Sequence, residues 1–248
     1  MKCKIILTIL LFLFSLLYLN NAINFIREND KLMNEIKEKK DIYYQKPINA
    51  IITNNIIIPG LKGKEINVKK SYQRMKKINN FQESLLVFNE ILPDKSINNN
   101  YDKVIISGNP NIKQVSIILN ITDEYLLNSI NKILESNNVY ANILENSNYK
   151  LTNTNFKNSL SYNYQSFTDY CLTNKIEIEE NCLINYKYTL LGYNITSPFL
   201  ANTKNILKNG LILQYDFNKN NYYDLNLIIK YLKNNEYKIV SLDELIKE

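Results

Sequence analysis

The residues best placed for chemistry follow an apolar run near the carboxyl terminus. The stretch NGLILQYD, residues 209–216, ends in Tyr215 and Asp216. An apolar run that ends in such side chains is typical of a strand that presents a catalytic group in an α/β enzyme. The chain contains no histidine, which excludes Ser–His and Cys–His pairs and histidine ligands for zinc or iron. Carboxylate, lysine, tyrosine and cysteine chemistry remains, and a tyrosine packed beside a turn or capping aspartate explains the same two residues without any chemistry.

Composition limits both the fold and the partners. A chain of 248 residues with 45% hydrophobic and 22% charged residues is typical of a globular protein with one domain of ordinary size and additional segments. The net charge is +6, but the basic residues are spread along the chain and accompany no recognised nucleic-acid motif. We therefore predict no nucleic-acid partner.

The amino terminus has the pattern of a membrane anchor. Lys2 and Lys4 precede an uncharged apolar run over residues 5–19, and roughly 20 apolar residues span a bilayer. We therefore predict a signal-anchor or transmembrane helix over residues 1–26, a single-pass location in the cell membrane, and an extracytoplasmic location for the bulk of the chain. The alternative is a signal peptide cleaved near Ala22, after which the protein is secreted.

The rest of the chain divides into three predicted segments. Residues 27–46 are charged and favour a helical stalk, and residues 47–100 combine β-branched runs with turn residues, which predicts a small β-rich module. A strand, a helix and a further strand then follow at residues 115–119, 123–136 and 139–144. This alternation, which returns near the carboxyl terminus, predicts an α/β domain over residues 101–248 with parallel strands and right-handed crossovers, either barrel-like or open.

Two stretches of this domain resemble the polysaccharide deacetylases of the NodB-homology class. The stretch VSIILNITDEYLLNSINKILESNNVYANIL resembles the strand, helix and strand that open that family's domain. The later stretches LLGYNITSPF, KNGLILQYDF and LNLIIKYLKNNEYKIVSLDELIK resemble its closing part. The resemblance covers residues 101–248 and rests on the order and spacing of elements. It implies an irregular (β/α) barrel with a groove at the carboxyl ends of its strands, which the family uses to remove N- or O-acetyl groups from cell-envelope glycans.

The catalytic motifs of that family are replaced in this chain. The family's paired aspartates, a base and a metal ligand, fall on Asn120 and Ile121, and its late histidine falls on Tyr215. Its two metal-binding histidines fall near Ser161, Tyr162, Asn163 and Tyr164. Its Arg-Pro motif falls near Tyr170, Cys171 and Leu172. An amide takes no proton at neutral pH and an alkyl side chain binds no metal. Loss of these groups together removes the metal-dependent hydrolysis that the resemblance implies.

The resemblance and its departures predict a pseudoenzyme of the polysaccharide deacetylase type. We predict no cofactor, no bound metal, and a membrane contact through the amino-terminal helix. The partner is a cell-envelope glycan or an envelope protein. Because tyrosine rings stack on sugars and carboxylates hold hydroxyls, the candidate ligand-binding residues are Tyr162, Tyr164, Tyr215 and Asp216. The alternative is an active carbohydrate deacetylase or hydrolase with a rebuilt carboxylate site formed by Asp123, Asp169, Asp216 and Asp224.

Cysteine usage gives one further prediction. Cys171 and Cys182 are the only cysteines beyond the predicted anchor. Outside the cell such a pair can close a loop as a disulfide. Two buried free thiols on a core face are the alternative.

Overall fold

The computed structural model of the protein describes residues 29–121, 125–144, 156–160, 170–176, 178 and 180–248, together with residues 12, 14, 15, 18 and 25. The chain separates into two compact units. We call them the small unit, Met1–Pro47 with Lys62–Ile91, and the large unit, Ile48–Leu61 with Leu92–Glu248. This division differs from the predicted segments, because residues 48–61 and 92–100 group with the carboxyl-terminal domain.

The described strands and helices alternate through most of the large unit. The strands are β1 (Ile51–Thr53), β2 (Ile56–Ile58), β3 (Gly63–Ile66), β4 (Phe88–Ile91), β5 (Val104–Ile105), β6 (Gln114–Ile121), β7 (Ala141–Leu144), β8 (Phe156–Leu160), β9 (Tyr170–Thr173), β10 (Tyr188–Leu191), β11 (Tyr193–Ile195), β12 (Ile212–Phe217) and β13 (Lys238–Val240). The helices are α1 (Lys31–Glu38), α2 (Val68–Met75), α3 (Tyr125–Ser136), α4 (Glu180–Asn185), α5 (Phe199–Ile206), α6 (Asp224–Asn234) and α7 (Leu242–Leu245).

The predicted membrane location is contradicted. Within the ranges that the structure describes, no helix is both long enough and apolar enough to cross a bilayer. A span needs roughly 20 apolar residues in helical conformation, whereas α3, with 12 residues, is the longest of the helices given above. The predicted anchor over residues 1–26 lies, apart from five isolated positions, outside the described residues.

The small unit packs α1 and α2 against the antiparallel pair of β3 and β4. Helix α1 begins after Asp30, whose carboxylate accepts a hydrogen bond from the Leu32 N–H at 2.9 Å. The Lys76 ammonium, 2.6 Å from the same carboxylate, holds the pKa of Asp30 below its ordinary value. The segment predicted as a helical stalk is therefore a short packed helix, because Leu32, Met33 and Ile36 are buried in the core of this unit.

The large unit contains two sheets of mainly parallel strands. The first sheet has the order β1-β2-β5-β10-β9, and only the pair of β1 and β2 in it is antiparallel. The second sheet has the order β11-β12-β6-β7-β8, with β13 also paired to β6, and all of these pairs are parallel. The predicted α/β class is confirmed. No ladder joins the two sheets among the described strands, so the irregular barrel stays a prediction.

Strand β6 separates two apolar cores of the large unit. Val115, Ile117, Leu119 and Ile121 pack with α3, α5 and α6 in what we call the helix-side core. Ile118, on the opposite face of the strand, belongs to a core built from both sheets, which we call the inner core. Side chains alternate between the two faces of a strand. Odd-numbered positions of β6 therefore face the helices, and even-numbered positions face the inner core.

A disulfide joins Cys171 on β9 to Cys182 on α4, with their Cα atoms 5.6 Å apart. Both side chains are buried, and they form a small core cluster with Tyr186. The cross-link connects the last strand of the first sheet to the helix that precedes β10. It therefore restricts a short loop in the unfolded chain, which lowers the entropy of the unfolded state and stabilises the fold.

Replacing both Cys171 and Cys182 by alanine is expected to lower the free energy of unfolding by about 3 kcal/mol, since loop closure is lost from the unfolded state. Urea unfolding with and without reductant measures the effect. Reductant should destabilise the wild type to a similar extent and leave the double variant unchanged. Alkylation of either cysteine in the folded protein before reduction contradicts the cross-link.

Candidate functional site

The candidate site lies at the carboxyl ends of β6 and β12, which are neighbours in the second sheet. The register of these strands pairs Asn120 with Asp216. Both residues share a strand face with Ile118, and so project from the inner face of the sheet, at the edge where the resemblance places the groove. Asn120 is half-buried and Asp216 is exposed. We call these two residues the polar pair, an amide and a carboxylate on strands about 5 Å apart.

Tyr215 and Ile121 point in the opposite direction. Both side chains are fully buried, and both belong to the helix-side core. They occupy the odd-numbered positions of their strands, next to the polar pair in sequence but on the other face of the sheet. The position that resembles the family's late histidine thus holds a core residue. Asp216, one residue later, holds the position on the inner face.

The surroundings of Tyr215 explain why it is a core residue. Its ring stacks on Phe217 at 5.8 Å between centroids and contacts the edge of Phe199 at 5.9 Å. Thr203 donates its hydroxyl proton to the Phe199 carbonyl at 2.7 Å, so the Tyr215 hydroxyl is the donor in its 2.9 Å bond to Thr203 Oγ1. Burial raises the pKa of the Tyr215 phenol far above its ordinary value. The predicted stacking of this ring on a sugar is therefore corrected: the ring is inaccessible.

A buried polar network supports β6 behind the polar pair. Asn142 on β7 donates to Ser116 Oγ at 2.8 Å and to the Ile117 carbonyl at 2.8 Å. The Ser116 hydroxyl donates to the Val240 carbonyl at 2.9 Å, and the Leu242 N–H donates to Asn142 Oδ1 at 3.3 Å. These bonds connect β6 with β7 and with the end of β13, and so hold the central strand that carries Asn120 against two of its neighbours. No local sequence pattern indicates this network, because its members lie on different strands.

The loop after β12 carries two tyrosines at the same edge of the sheet. The Asn218 N–H donates to Asn221 Oδ1 at 2.7 Å, and the Asn220 N–H donates to Asn218 Oδ1 at 2.9 Å. Tyr222 packs against the helix-side core, and its ring centroid lies 3.9 Å from that of Tyr223. A hydrogen bond with the Tyr223 hydroxyl, followed by partial burial, raises the pKa of Tyr222 above its ordinary value. This loop is held by its own side chains.

Tyr125 lies at the equivalent place after β6. It is the first residue of α3 and is 86% exposed, and Tyr223 is 63% exposed. With 19 tyrosines in the chain, no single tyrosine is marked by the sequence alone. These two are distinguished only by following, along the chain, the strands that carry the polar pair.

The other predicted site residues do not form a metal centre in the part of the chain that the structure describes. Tyr162, Tyr164, Asp123 and Asp169 lie outside them, as do Ser161 and Asn163. Asp224 is half-buried in the first turn of α6. In the part of the chain that the structure describes, no group of three His, Cys, Asp or Glu side chains could hold a metal ion. The donors at the polar pair, one amide and one carboxylate, do not fit a zinc-type site, which takes about three protein ligands.

One surface cleft among the described residues lies away from the polar pair. It has a volume of about 580 Å³ and is lined by residues that precede β7, by β13 and by Lys233 and Glu244. A second cleft, of about 480 Å³, contains Tyr193, Asn209 and Tyr237. Neither is lined by Asn120 or Asp216. Residue chemistry, and not cleft size, therefore identifies the candidate site.

Comparison with protein sequences places few constraints on function. No family model matches the chain. The uncharacterized protein YlxY of Bacillus subtilis is 31% identical over 127 residues, a match that covers 50% of this chain and 40% of that protein. The matched region of this chain thus spans about two fifths of that relative's length.

Comparison with solved structures identifies the fold. A pseudoenzyme of carbohydrate esterase family 4 from Bacillus anthracis has a TM-score of 0.58 and 19% identity, and the match covers 89% of this chain and 96% of that chain. A mutant of the same pseudoenzyme, described as having restored enzymatic activity, also has a TM-score of 0.58 and 19% identity, with 88% and 99% of the two chains covered. The resemblance to the polysaccharide deacetylases is thereby confirmed at the level of the fold.

Proposed function

We propose that this protein binds a cell-envelope glycan through the carboxyl edge of β6 and β12 and does not hydrolyse acetyl groups by a metal-dependent mechanism. The observation that carries the proposal is the polar pair. On the inner face, at the end of two adjacent parallel strands, the chain presents Asn120 beside Asp216. Parallel α/β sheets bind ligands at this edge.

The available donors support binding over hydrolysis. The deacetylase mechanism implied by the resemblance needs a divalent ion held by about three protein ligands. The whole chain lacks histidine, and Ile121 and Tyr215, which stand at two of the family's motif positions, are buried in the helix-side core. One fold neighbour is itself described as a pseudoenzyme, and we extend that description to this chain as part of the proposal.

The polar pair suits the hydroxyl and acetamido groups of a sugar. The amide of Asn120 donates and accepts hydrogen bonds, and the carboxylate of Asp216 accepts them. Strands about 5 Å apart place two such groups within reach of one pyranose ring. We also propose that the two sheets are walls of the irregular barrel implied by the resemblance, with the inner core between them. An envelope protein as the partner is an alternative outcome of the test below.

Calorimetric titration with an N-acetylated chitooligosaccharide tests the proposal. Asp216→Asn is expected to weaken binding about tenfold or more, because hydrogen bonds to a charged group contribute about 1.5–3 kcal/mol. Glu236→Gln is the matched control. It removes the same charge from an exposed turn before β13, where Glu236 pairs only with Lys113 in the described contacts, and it should bind like the wild type.

Acetate release measured in the same samples, with and without added divalent metal, separates the alternatives. We expect binding without acetate release. Metal-dependent release that Asp216→Asn abolishes overturns the proposal in favour of a rebuilt carboxylate site. Absence of any binding to chitooligosaccharide or peptidoglycan, together with capture of an envelope protein by this edge, overturns the glycan assignment.

A further inference from the structure

Two surface clefts meet at the amino edge of the second sheet. All strand pairs of this sheet are parallel, so the amino ends of its strands lie at one edge, opposite to the polar pair. The two clefts, of about 580 and 480 Å³, are both lined by Tyr237, directly before β13. One cleft also contains Tyr140, before β7, and the other contains Tyr193, at the start of β11. We call the two clefts together the amino-edge groove.

Backbone hydrogen bonds hold the central segments of the groove in place. The Gly210 N–H, in the turn before β12, donates to the Gln114 carbonyl at 2.7 Å. The Lys238 N–H donates to the Lys113 carbonyl at 3.0 Å, and the Lys113 ammonium lies 5.4 Å from the centroid of the Tyr237 ring. The segments before β12 and before β13 are thus fixed on the two sides of the start of β6. Because the backbone of the groove is held by these bonds, a ligand would lose little affinity to ordering it.

The groove extends along one face of the sheet. The register pairs Tyr193 with Leu213, a residue of the helix-side core, and Tyr237 packs against that same core. In the order β11-β12-β6, with β13 paired to β6, three inter-strand spacings of about 4.8 Å separate β11 from β13, or about 14 Å in all. The groove therefore has room for several units of a linear polymer.

The groove has an excess of positive charge. Two lysines beside it are paired with glutamates, in the ion pairs Lys113–Glu236, at 3.3 Å, and Lys238–Glu244. Among the residues that the structure describes, no ion pair involves Lys208 or Lys233, which line the two clefts and are both exposed. The Lys233 ammonium donates to the Asn137 carbonyl, which fixes its position without neutralising its charge. Two ammonium groups thus remain available to a ligand.

We propose that the amino-edge groove binds a linear anionic glycan whose carboxylate or phosphate groups pair with Lys208 and Lys233. The site goes beyond the proposed function, because it lies at the opposite edge of the sheet and takes a charged ligand. Tyrosines combine an apolar ring with a polar tip, which suits contact with sugar rings. Side-chain hydroxyl and amide groups can bond the sugar hydroxyls, and the lining supplies them from Ser107, Asn138, Asn209 and Ser241.

The same charge could attract a single-stranded nucleic acid, but the central ring favours a glycan. Nucleic-acid bases stack on open aromatic faces. One face of the Tyr237 ring is covered by the Lys113 ammonium, and the ring is half-buried. Its edge and hydroxyl are the parts left for a ligand, and they suit sugar hydroxyls better than a base.

Fluorescence anisotropy of a labelled oligogalacturonate, titrated with the full chain, tests the groove. The double variant Lys208→Gln/Lys233→Gln is expected to weaken binding about tenfold, because two charge-assisted contacts are lost. Wild-type affinity should fall as salt is added, since the contacts are exposed. Tyr193→Ala should weaken binding about fivefold, and Tyr193→Phe should weaken it less. Competition by a phosphodiester-linked glycan shows whether phosphate or carboxylate is preferred.

The matched control is Lys95→Gln/Lys175→Gln, which removes the same charge from two exposed lysines that line neither cleft. It should bind like the wild type. Equal weakening by the two double variants would mean general charge attraction and would overturn the groove, as would the absence of any binding. Tighter binding of an oligothymidylate of equal charge, weakened by Lys208→Gln/Lys233→Gln, would overturn the glycan assignment.

The two sites can be told apart with the same proteins. Asp216→Asn should leave oligogalacturonate binding unchanged, and Lys208→Gln/Lys233→Gln should leave chitooligosaccharide binding unchanged. Loss of chitooligosaccharide binding alone therefore bears on the polar pair, and loss of oligogalacturonate binding alone bears on the groove. Weakening of both ligands by Lys208→Gln/Lys233→Gln would overturn the groove as a separate site.

Discussion

Ile121→Asp is expected to lower the free energy of unfolding by at least about 4 kcal/mol, whereas Asn120→Asp is expected to lower it by about 1 kcal/mol or less. The two positions are adjacent in sequence and resemble the family's paired aspartates. Ile121 is fully buried in the helix-side core, so the substitution removes apolar contacts and places a carboxylate where it has no charged partner among the residues of that core. Asn120 is half-buried on the inner face.

Urea unfolding of both variants measures the difference. The small cost of Asn120→Asp comes from repulsion between the new carboxylate and Asp216, its cross-strand partner. The control Ile121→Val keeps the core apolar and should cost about 1 kcal/mol. Equal destabilisation by Ile121→Asp and Asn120→Asp would show that the strand faces have been assigned wrongly.

Neither aspartate variant is expected to release acetate from an N-acetylated glycan, because no histidine in the chain can supply the remaining metal ligands of the family's mechanism. Restoring one carboxylate therefore does not restore the site. An assay of both variants with added zinc or cobalt checks this expectation. Activity in Ile121→Asp alone would require a metal site built from residues that the resemblance does not identify.

The elements around the site could be predicted from the sequence because their patterns are strong. The helix predicted over residues 123–136 is observed at Tyr125–Ser136, since its apolar residues recur at helical spacing. The direction of each side chain on β6 and β12 could not be predicted in the same way. In β6 the run Ile117–Leu119 is apolar at every position and carries no alternation to mark the groove side. In β12, Gln214 and Asp216 do alternate with apolar residues, but the six-residue strand is short and its apolar start hides the pattern.

The two compact units differ from the predicted segments because of contacts between residues distant in sequence. Residues 48–61 join the large unit through the pairing of β2 with β5. The local sequence of β2 does not predict which strand it pairs with. The apolar run near the amino terminus predicted a membrane location that the described helices contradict.

Tyr215→Ala is expected to lower the free energy of unfolding by about 4 kcal/mol, whereas Asp216→Ala is expected to change it by no more than about 0.5 kcal/mol. The Tyr215 side chain is fully buried against Phe199 and Phe217, so its removal leaves a cavity in the helix-side core. Asp216 is exposed, and under the proposed function its removal weakens glycan binding instead. Urea unfolding measures stability, and chitooligosaccharide titration at a temperature where both variants are folded measures affinity.

Tyr215→Phe tests the contribution of the hydroxyl to stability separately from that of the ring. It keeps the aromatic packing and loses the bond to Thr203, so it should cost about 1 kcal/mol at neutral pH. Burial raises the pKa of Tyr215 in the folded state, so the wild type binds this proton more tightly when folded than when unfolded. The stability that follows from this difference is complete below the unfolded pKa of about 10 and is lost as the pH rises above it. The gap between Tyr215→Phe and the wild type should therefore narrow above about pH 10.

These variants distinguish a core tyrosine from a groove tyrosine. A ring in the groove would tolerate Tyr215→Ala with little loss of stability and would lose glycan affinity in both Tyr215→Ala and Tyr215→Phe. A ring in the helix-side core predicts the reverse, with a large loss of stability in Tyr215→Ala and unchanged affinity in Tyr215→Phe. Since Asp216 occupies the next position on the opposite face of β12, only Asp216→Ala should weaken binding without weakening the fold. Stable Tyr215→Ala protein with weakened glycan binding would show that the Tyr215 ring lies in the groove. It would also show that the polar pair has been assigned wrongly as the binding site.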